Sequence, residues 1–286
     1  MKKSLTRIVA VIFLILGVGL MSYPWIANKI SEQRMSQALS SYDASVEQID
    51  DAELAAEIEK VKRYDDNLTG QPVHDPFDPD AGYVLPGDYE DVLNVNGDGI
   101  MGSISIPVID IKLPIYHGVG DEALAKGVGH IEYTSTPYGG PGRHSWMSAH
   151  RGLPHALLFT DLDKVQVGDS FFIDVLGERH AYRVTEIEVV KPEGMREFRP
   201  TPDKDLVTLV TCTPYGINTE RLLVTGERYP YTPGGPGGGA VAVASRGMKD
   251  WYFVLFAGAI GVVILTVAIK LRRDRKTTAT DASQSA

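Results

Sequence analysis

The chain has 286 residues, 43% of them hydrophobic, and a formal net charge of −9. That length supports one sizeable core with appendages, and the acidic balance excludes a nucleic-acid binder, which needs a basic face. A single cysteine, Cys212, excludes an intramolecular disulfide framework.

The first element is an uncharged run, IVAVIFLILGVGLMSYPWIA, from Ile8 to Ala27, preceded by Lys2, Lys3 and Arg7. It has the ~20 residues a helix needs to cross a bilayer, with Trp25 near its end, where an amphipathic ring favours the headgroup layer. No small-x-small cleavage pattern follows. An uncleaved anchor is therefore expected over residues 1–28, with a removed signal peptide as the alternative. Residues 29–70 are polar, and Leu54, Ile58 and Val61 recur at helical spacing, which predicts a helical stalk or a packing helix. Prolines in TGQPVHDPFDPDAGYVLPGD exclude a regular helix over 71–86.

From 87 to 231 the pattern changes to short β-type runs separated by turns: GSISIPVIDIKLPIYHG, SFFIDVLG, HAYRVTEIEVVK, DLVTLVTC and RLLVTGERY. Alternation and β-branched residues predict a mainly β domain, a barrel or sandwich. Only short helical insertions are expected, such as DEALAKG and ALLFTDLDK. A Gly/Pro-rich linker occupies 232–250. A second uncharged run, Trp251 to Ile269, is followed by Lys270, Arg272, Arg273, Arg275 and Lys276. It predicts a second membrane span over 251–270 and a polar tail over 271–286. The basic flanks put both termini in the cytoplasm and the β domain outside.

Outside the cell, a thiol without an intramolecular partner is either a small buried hydrophobe or a reactive group. Cys212 stands where the strand LVTLVT runs into the turn Thr-Pro-Tyr-Gly, a place that exposes a side chain while the sheet fixes it. To act as a nucleophile it needs a base or imidazolium and a donor for the oxyanion. Seven histidines are available, at 74, 117, 130, 144, 150, 155 and 180, and spacing does not choose among them. Arg221 opens the following strand and is the candidate donor.

Thr208-Leu-Val-Thr-Cys212, with Arg221 nine residues on, resembles the TLxTC…R signature of the sortases. Ser148-Ala-His150-Arg-Gly-Leu-Pro154 resembles that family's catalytic-histidine segment. The resemblance runs from about Gly99 to Tyr231. His74-Asp75-Pro76-Phe77 and the C-terminal span resemble the pilin-polymerising branch, class C, whose lid carries Asp-Pro and an aromatic residue. The resemblance implies a closed barrel of about eight strands with short helices, an N-terminal helical and lid segment, and a transmembrane helix at each end.

It also implies a cysteine transpeptidase. Cys212 attacks the Thr carbonyl of an LPxTG-like sorting signal, and a thioacyl enzyme is resolved by a pilin lysine amine. His150 moves the protons, Arg221 steadies the oxyanion or holds the substrate backbone, Asp75 pairs with Arg221 and Phe77 covers the sulfur. The partners are LPxTG-type pilin subunits and surface proteins, together with the membrane; no cofactor and no nucleotide are needed. With ordinary pKa values of about 8.5 and 6.5, a thiolate–imidazolium pair makes up roughly 1% of molecules.

Other readings are weaker. His144, His150 and His155 lack a recognised metal-ligand spacing. Asn94-Val-Asn-Gly-Asp-Gly99 resembles the start of a calcium loop, but Ser105 stands where the closing glutamate belongs. The glycines of PGGPGGG lack the Lys-Ser/Thr of a phosphate loop. A sortase that anchors proteins to peptidoglycan, or a tethered binding module on a sortase-like barrel, remain the alternatives.

Overall fold

The computed structural model describes residues 2–68, 73–78, 87–197 and 201–232. The expected second span and tail, with nearly all of the expected linker, lie outside the described residues.

Helix α1, Lys2–Gln48, runs through the first apolar stretch and past Pro24 without a break. Side chains of that stretch stay bare, Phe13 at 70% and Leu20 at 78% exposure. Such a surface suits hydrocarbon rather than water. Beyond it, Met35, Leu39 and Tyr42 recur at i, i+4, i+7 and are buried against the β domain, an amphipathic stripe that turns α1 into a packing helix. Helix α2, Asp51–Asp66, starts at a capping box. Asp50 accepts from the amides of Ala52 and Glu53 at 2.9 and 2.8 Å, and Glu53 reaches back to the Asp50 amide. This satisfies donors that the first helical turn otherwise leaves open.

Both helices are pinned to the β domain by buried polar contacts as well as apolar ones. The Tyr42 hydroxyl donates to the Met101 carbonyl and accepts from the Leu176 amide, each at 3.2 Å. Glu57 accepts from the Leu93 amide at 2.5 Å. Asp65 accepts from the amide and hydroxyl of Thr136, at 2.8 and 3.1 Å. Burial pushes the Asp65 carboxyl up to about 6, against the hydrogen bonds from Thr136 and the charge of Arg143.

Eight strands follow: β1 Ile100–Ile106, β2 Ile111–His117, β3 Val128–His130, β4 Arg143–Ser148, β5 Ser170–Val175, β6 Glu178–Val190, β7 Asp205–Thr213 and β8 Glu220–Tyr229. They close into a barrel in the order β1-β2-β3-β4-β7-β8-β6-β5, as the sequence led us to expect. Closure removes the unpaired edges that an open sheet presents. Two pairs, β2/β3 and β4/β7, are parallel and the others antiparallel. Parallel neighbours need crossovers. Helix α3, Asp121–Lys126, supplies one, and the β5–β6 hairpin lies in the other.

Ile104, Ile115, Met147, Ile173, Val207, Leu209 and Val224 fill the interior with no exposed surface. The Phe171 ring lies so close to Gly226 that a Cβ there would stand 2.5 Å from it, so this strand position admits only glycine.

ALLFTDLDK, expected to be helical, forms turns and a single 3₁₀ turn, Leu162–Lys164. The Asn94–Gly99 segment is a turn that spends its polar groups internally and on α1. Asn94 accepts from the Gly99 amide at 3.0 Å, Asp98 accepts from Asn96 at 2.6 Å, and Ser45 donates to Asn96 at 2.8 Å.

Candidate active site

Strand β7 lies between a parallel and an antiparallel neighbour, and every residue from Asp205 to Cys212 is buried. Cys212 is its penultimate residue and pairs directly with Arg221 of β8. Directly opposed residues of an antiparallel pair project to the same face with Cβ atoms ~5 Å apart. The exposed turn between them, Pro214–Thr219, is held by the amides of Ile217 and Asn218, both donating to the Pro214 carbonyl at 3.0 Å.

His150 enters from the other side of β7. Strands β4 and β7 run parallel with Ser148 opposite Val210. Two residues past Ser148, the chain carries His150 toward the Cys212 end of β7. Beyond the last ladder pair, the Ala149 amide donates to the Val210 carbonyl at 3.2 Å, and the Thr211 hydroxyl donates to the Ala149 carbonyl at 2.8 Å. These bonds fasten the departing chain to β7 just before the imidazole.

Residues 73–78 lie across this site. Asp75 takes the Arg221 guanidinium in two bonds, from Nε at 2.7 Å and from Nη2 at 2.6 Å. The two side chains are only 10% and 8% exposed. Arg221 spends its Nη1 on the carbonyls of Asn218 and Glu220, at 3.1 and 3.0 Å. A local turn shapes the segment: the Asp78 amide donates to the Asp75 carbonyl at 3.2 Å, and the Phe77 amide to the Asp75 carboxylate at 3.3 Å. Pro76 occupies the second position, where its fixed φ suits a turn. The Phe77 ring has the Arg221 guanidinium over it at 5.1 Å and the His150 ring at 5.6 Å. Val73 and Phe77 pack in an apolar cluster with Ile131, Trp146, Met195 and Leu223. Asp75 and Phe77, like Cys212, His150 and Arg221, thus meet in one place.

Residues 104–229 match the Sortase domain family. Sortase A of Streptococcus agalactiae is 34% identical over 131 residues, which is 45% of this chain and 52% of that protein. Sortase A of Staphylococcus aureus is 30% identical over 165 residues, 56% of this chain and 74% of that protein. Among solved structures, sortase C-1 of Streptococcus pneumoniae aligns with a TM-score of 0.64 and 38% identity, covering 68% of this chain and 100% of that one. Sortase C-1 of Actinomyces oris aligns with a TM-score of 0.58 and 43% identity, covering 62% of this chain and 99% of that one. The chain belongs to the sortase family. These solved neighbours are class C sortases, whereas the chain spans about half the length of the S. agalactiae sortase A that it matches.

In this sortase the closed segment sets the electrostatics. Burial pushes the Cys212 thiol up; Arg221 opposes that, and Asp75 adds to it. Burial pushes the half-buried His150 down, with Asp121 opposing and His155 reinforcing. Both shifts move the pair away from thiolate–imidazolium. With the segment in place, the neutral pair is favoured beyond the hundred-to-one expected from ordinary values.

The other histidines considered for a metal site go elsewhere. The His144 side chain is buried and bonded to the Thr208 hydroxyl at 2.8 Å, and His155 is exposed. Among the described residues no group of three His, Cys, Asp or Glu side chains converges as metal ligands.

Arg151 is a component that sequence reasoning missed. Its side chain, 6% exposed, pairs with Asp163 at 2.6 Å and donates to the Thr160 carbonyl and the Thr213 hydroxyl, each at 3.1 Å. It therefore ties the His150 loop to the residue after Cys212. Its adjacency to His150 was the available signal, but the partner Asp163 lies in the 3₁₀ turn Leu162–Lys164, and nothing in that segment's pattern points to Arg151.

Proposed function

We propose that this sortase is a pilin-polymerising cysteine transpeptidase, anchored by α1 with its barrel outside the cytoplasm. Cys212 Sγ attacks the Thr carbonyl of an LPxTG-like signal as the thiol proton passes to His150, and Arg221 stabilises the oxyanion. The tetrahedral intermediate collapses as His150 protonates the departing Gly amine, leaving a thioester on Cys212. A pilin lysine amine then attacks the thioester and loses a proton to His150. Collapse releases the thiolate and forms an isopeptide bond.

The observation that carries this reading is the pairing of Cys212 with Arg221 at the barrel's rim, with His150 carried toward the same end of β7, under a segment that occupies the guanidinium. While Asp75 holds two faces of Arg221, an oxyanion cannot be served by it. Residues 73–78 therefore act as a lid that must leave before acyl transfer. A structure of a sortase C from Streptococcus pneumoniae is described as giving insight into pilin substrate specificity, which supports the choice of acceptor. The second reading, anchoring to a peptidoglycan amine, is favoured by the sortase A relatives.

The deciding experiment incubates the full chain in detergent with an LPxTG peptide and two competing acceptors, a pilin bearing a lysine motif and a peptidoglycan stem peptide. Mass spectrometry should find a thioacyl adduct on Cys212 and product on the pilin lysine. Product only on the stem peptide would replace the polymerase reading, and no adduct would end both.

A further inference from the structure

We propose that the groove between α1 and the barrel holds the headgroup of an anionic phospholipid, seating this side of the barrel on the bilayer that α1 enters. The proposal rests on the reading of α1 as a membrane anchor. The groove has a volume of about 610 Å³, and both bodies line it. Tyr23, Ala27 and Arg34 face it from α1; Tyr116 of β2, Lys126 at the end of α3, and His155 face it from the barrel.

Height decides what can reach it. With Ile8–Ala27 filling a hydrocarbon layer of ~30 Å, a rise of ~1.5 Å per residue puts Ser31 about 6 Å and Arg34 about 10 Å beyond its edge, a range that reaches across the headgroup layer. Helix α1 is unbroken over this range, and Met35 and Leu39 are buried against the barrel just above it. The barrel residues that share the groove therefore stand at headgroup height too.

Charge and polarity decide which group fits. Arg34 makes no ion pair with a described residue, and it is exposed. Lys126 is bonded to Glu122 at 2.5 Å, and Glu32, which lies near the groove on α1, is bonded to Lys29 at 2.8 Å. A cation with no acidic partner among the described residues, the Tyr116 phenol and an exposed imidazole fit a phosphodiester. The wall formed by Tyr23, Ala27 and Ile30 continues into the apolar run and suits the glycerol and first acyl carbons. Strand β2 is paired on both sides, to β1 and β3, so the groove offers no free strand edge to a peptide. His155 lies five residues beyond His150, so a lipid seated here brings the cleft close to the surface from which membrane-tethered segments emerge.

The test reconstitutes the full chain in nanodiscs of phosphatidylcholine with about 30% phosphatidylglycerol and releases it gently into a mass spectrometer. The wild type should retain one phosphatidylglycerol in preference to phosphatidylcholine. Arg34→Ala should lower that retention about fivefold, the usual worth of one interfacial cation near anionic lipid. Arg34→Lys should restore most of it, and Lys62→Ala, at an exposed position of α2, should leave it unchanged. Equal retention of the two lipids, equal retention by wild type and Arg34→Ala, or an equal loss in Lys62→Ala would overturn the proposal. Vesicle flotation of each variant separates the two readings. Flotation without selective retention removes the lipid site alone, whereas a wild type that fails to float removes the anchor and the site together.

Discussion

Two regions meet at Cys212, and they are built in opposite ways. Strands β7 and β8 hold Cys212 and Arg221 by a continuous antiparallel ladder from Leu206–Glu227 to Thr213–Glu220, backed by buried residues on both faces. Residues 73–78 reach Arg221 and His150 with a local turn, one bidentate ion pair and the packing of Val73 and Phe77. Moving the first region requires breaking sheet hydrogen bonds and opening the core. Moving the second exchanges a few side-chain contacts for water. On the proposed mechanism, the part of the site that must stay is written into the barrel, and the part proposed to leave is laid on its surface.

The sharpest break in that contrast comes from the barrel side. Cys212→Ala should abolish thioacyl formation, and His150→Ala and Arg221→Ala should each slow transfer at least ~100-fold, the usual contribution of acid–base and oxyanion groups. Single-turnover assays with a sorting-signal peptide check this. Transfer surviving in the cysteine variant would mean that β7 does not carry the nucleophile.

The lid side should respond in the other direction. A buried bidentate ion pair whose desolvation offsets most of its attraction, and an aromatic contact, are worth ~1 kcal/mol each, which together favour closure by roughly 30:1. Asp75→Ala/Phe77→Ala should therefore raise the rate of Cys212 labelling by a small neutral thiol reagent about ten- to thirtyfold. Equal rates would show that residues 73–78 do not guard the thiol.

The pH profile of that labelling sharpens the point. Burial and Asp75 both hold the thiol pKa up, while Arg221 holds it down. Removing the cover and the carboxylate leaves Arg221 unopposed, so the thiolate forms at lower pH. The double variant's labelling profile should have its midpoint below that of the wild type, with its advantage largest on the acidic side. Parallel profiles with one midpoint would confine the lid to steric blocking.

The smallest effect tests whether the lid is distinct from the helix before it. Asp50→Ala removes the α2 capping box and should cost about 1 kcal/mol of stability, read as a lower denaturant midpoint. The labelling rate should stay at the wild-type value, because Asp75 is bonded to Arg221 and Phe77 packs against Arg221 and His150. A labelling rate that rose with the loss of the cap would join α2 and the lid into one moving unit.

Most of the barrel was legible in the sequence because its longer strands repeat at a period of two and are rich in β-branched residues. Strands β3 and β4 were not. Val128–His130 is too short to show a period, and RHSWMS is buried on both faces, so no polar alternation marks it. The α1 stripe of Met35, Leu39 and Tyr42 was also missed, because polar neighbours hide three apolar residues spread over two turns. Asp75 and Phe77 were found through a short motif, but their partners lie nearly 150 residues on, and local pattern carries no information about such a pairing.

By itself the sequence determined that a β domain follows a membrane-length apolar run, that one thiol ends a strand, and that an arginine opens the next. Those are local matters, set by hydropathy, periodicity and turn residues. A motif resemblance marked His150 among the seven histidines, but only the tertiary structure supplied the physical reason: the parallel register of β4 on β7 carries it toward the Cys212 end of the strand. Likewise, the pairing of Asp75 with Arg221 was implied by a resemblance alone, and its two bonds exist only once the chain is folded. That contact lowers the free energy through charge and burial, which depend on distance in space and leave no trace in the spacing along the chain.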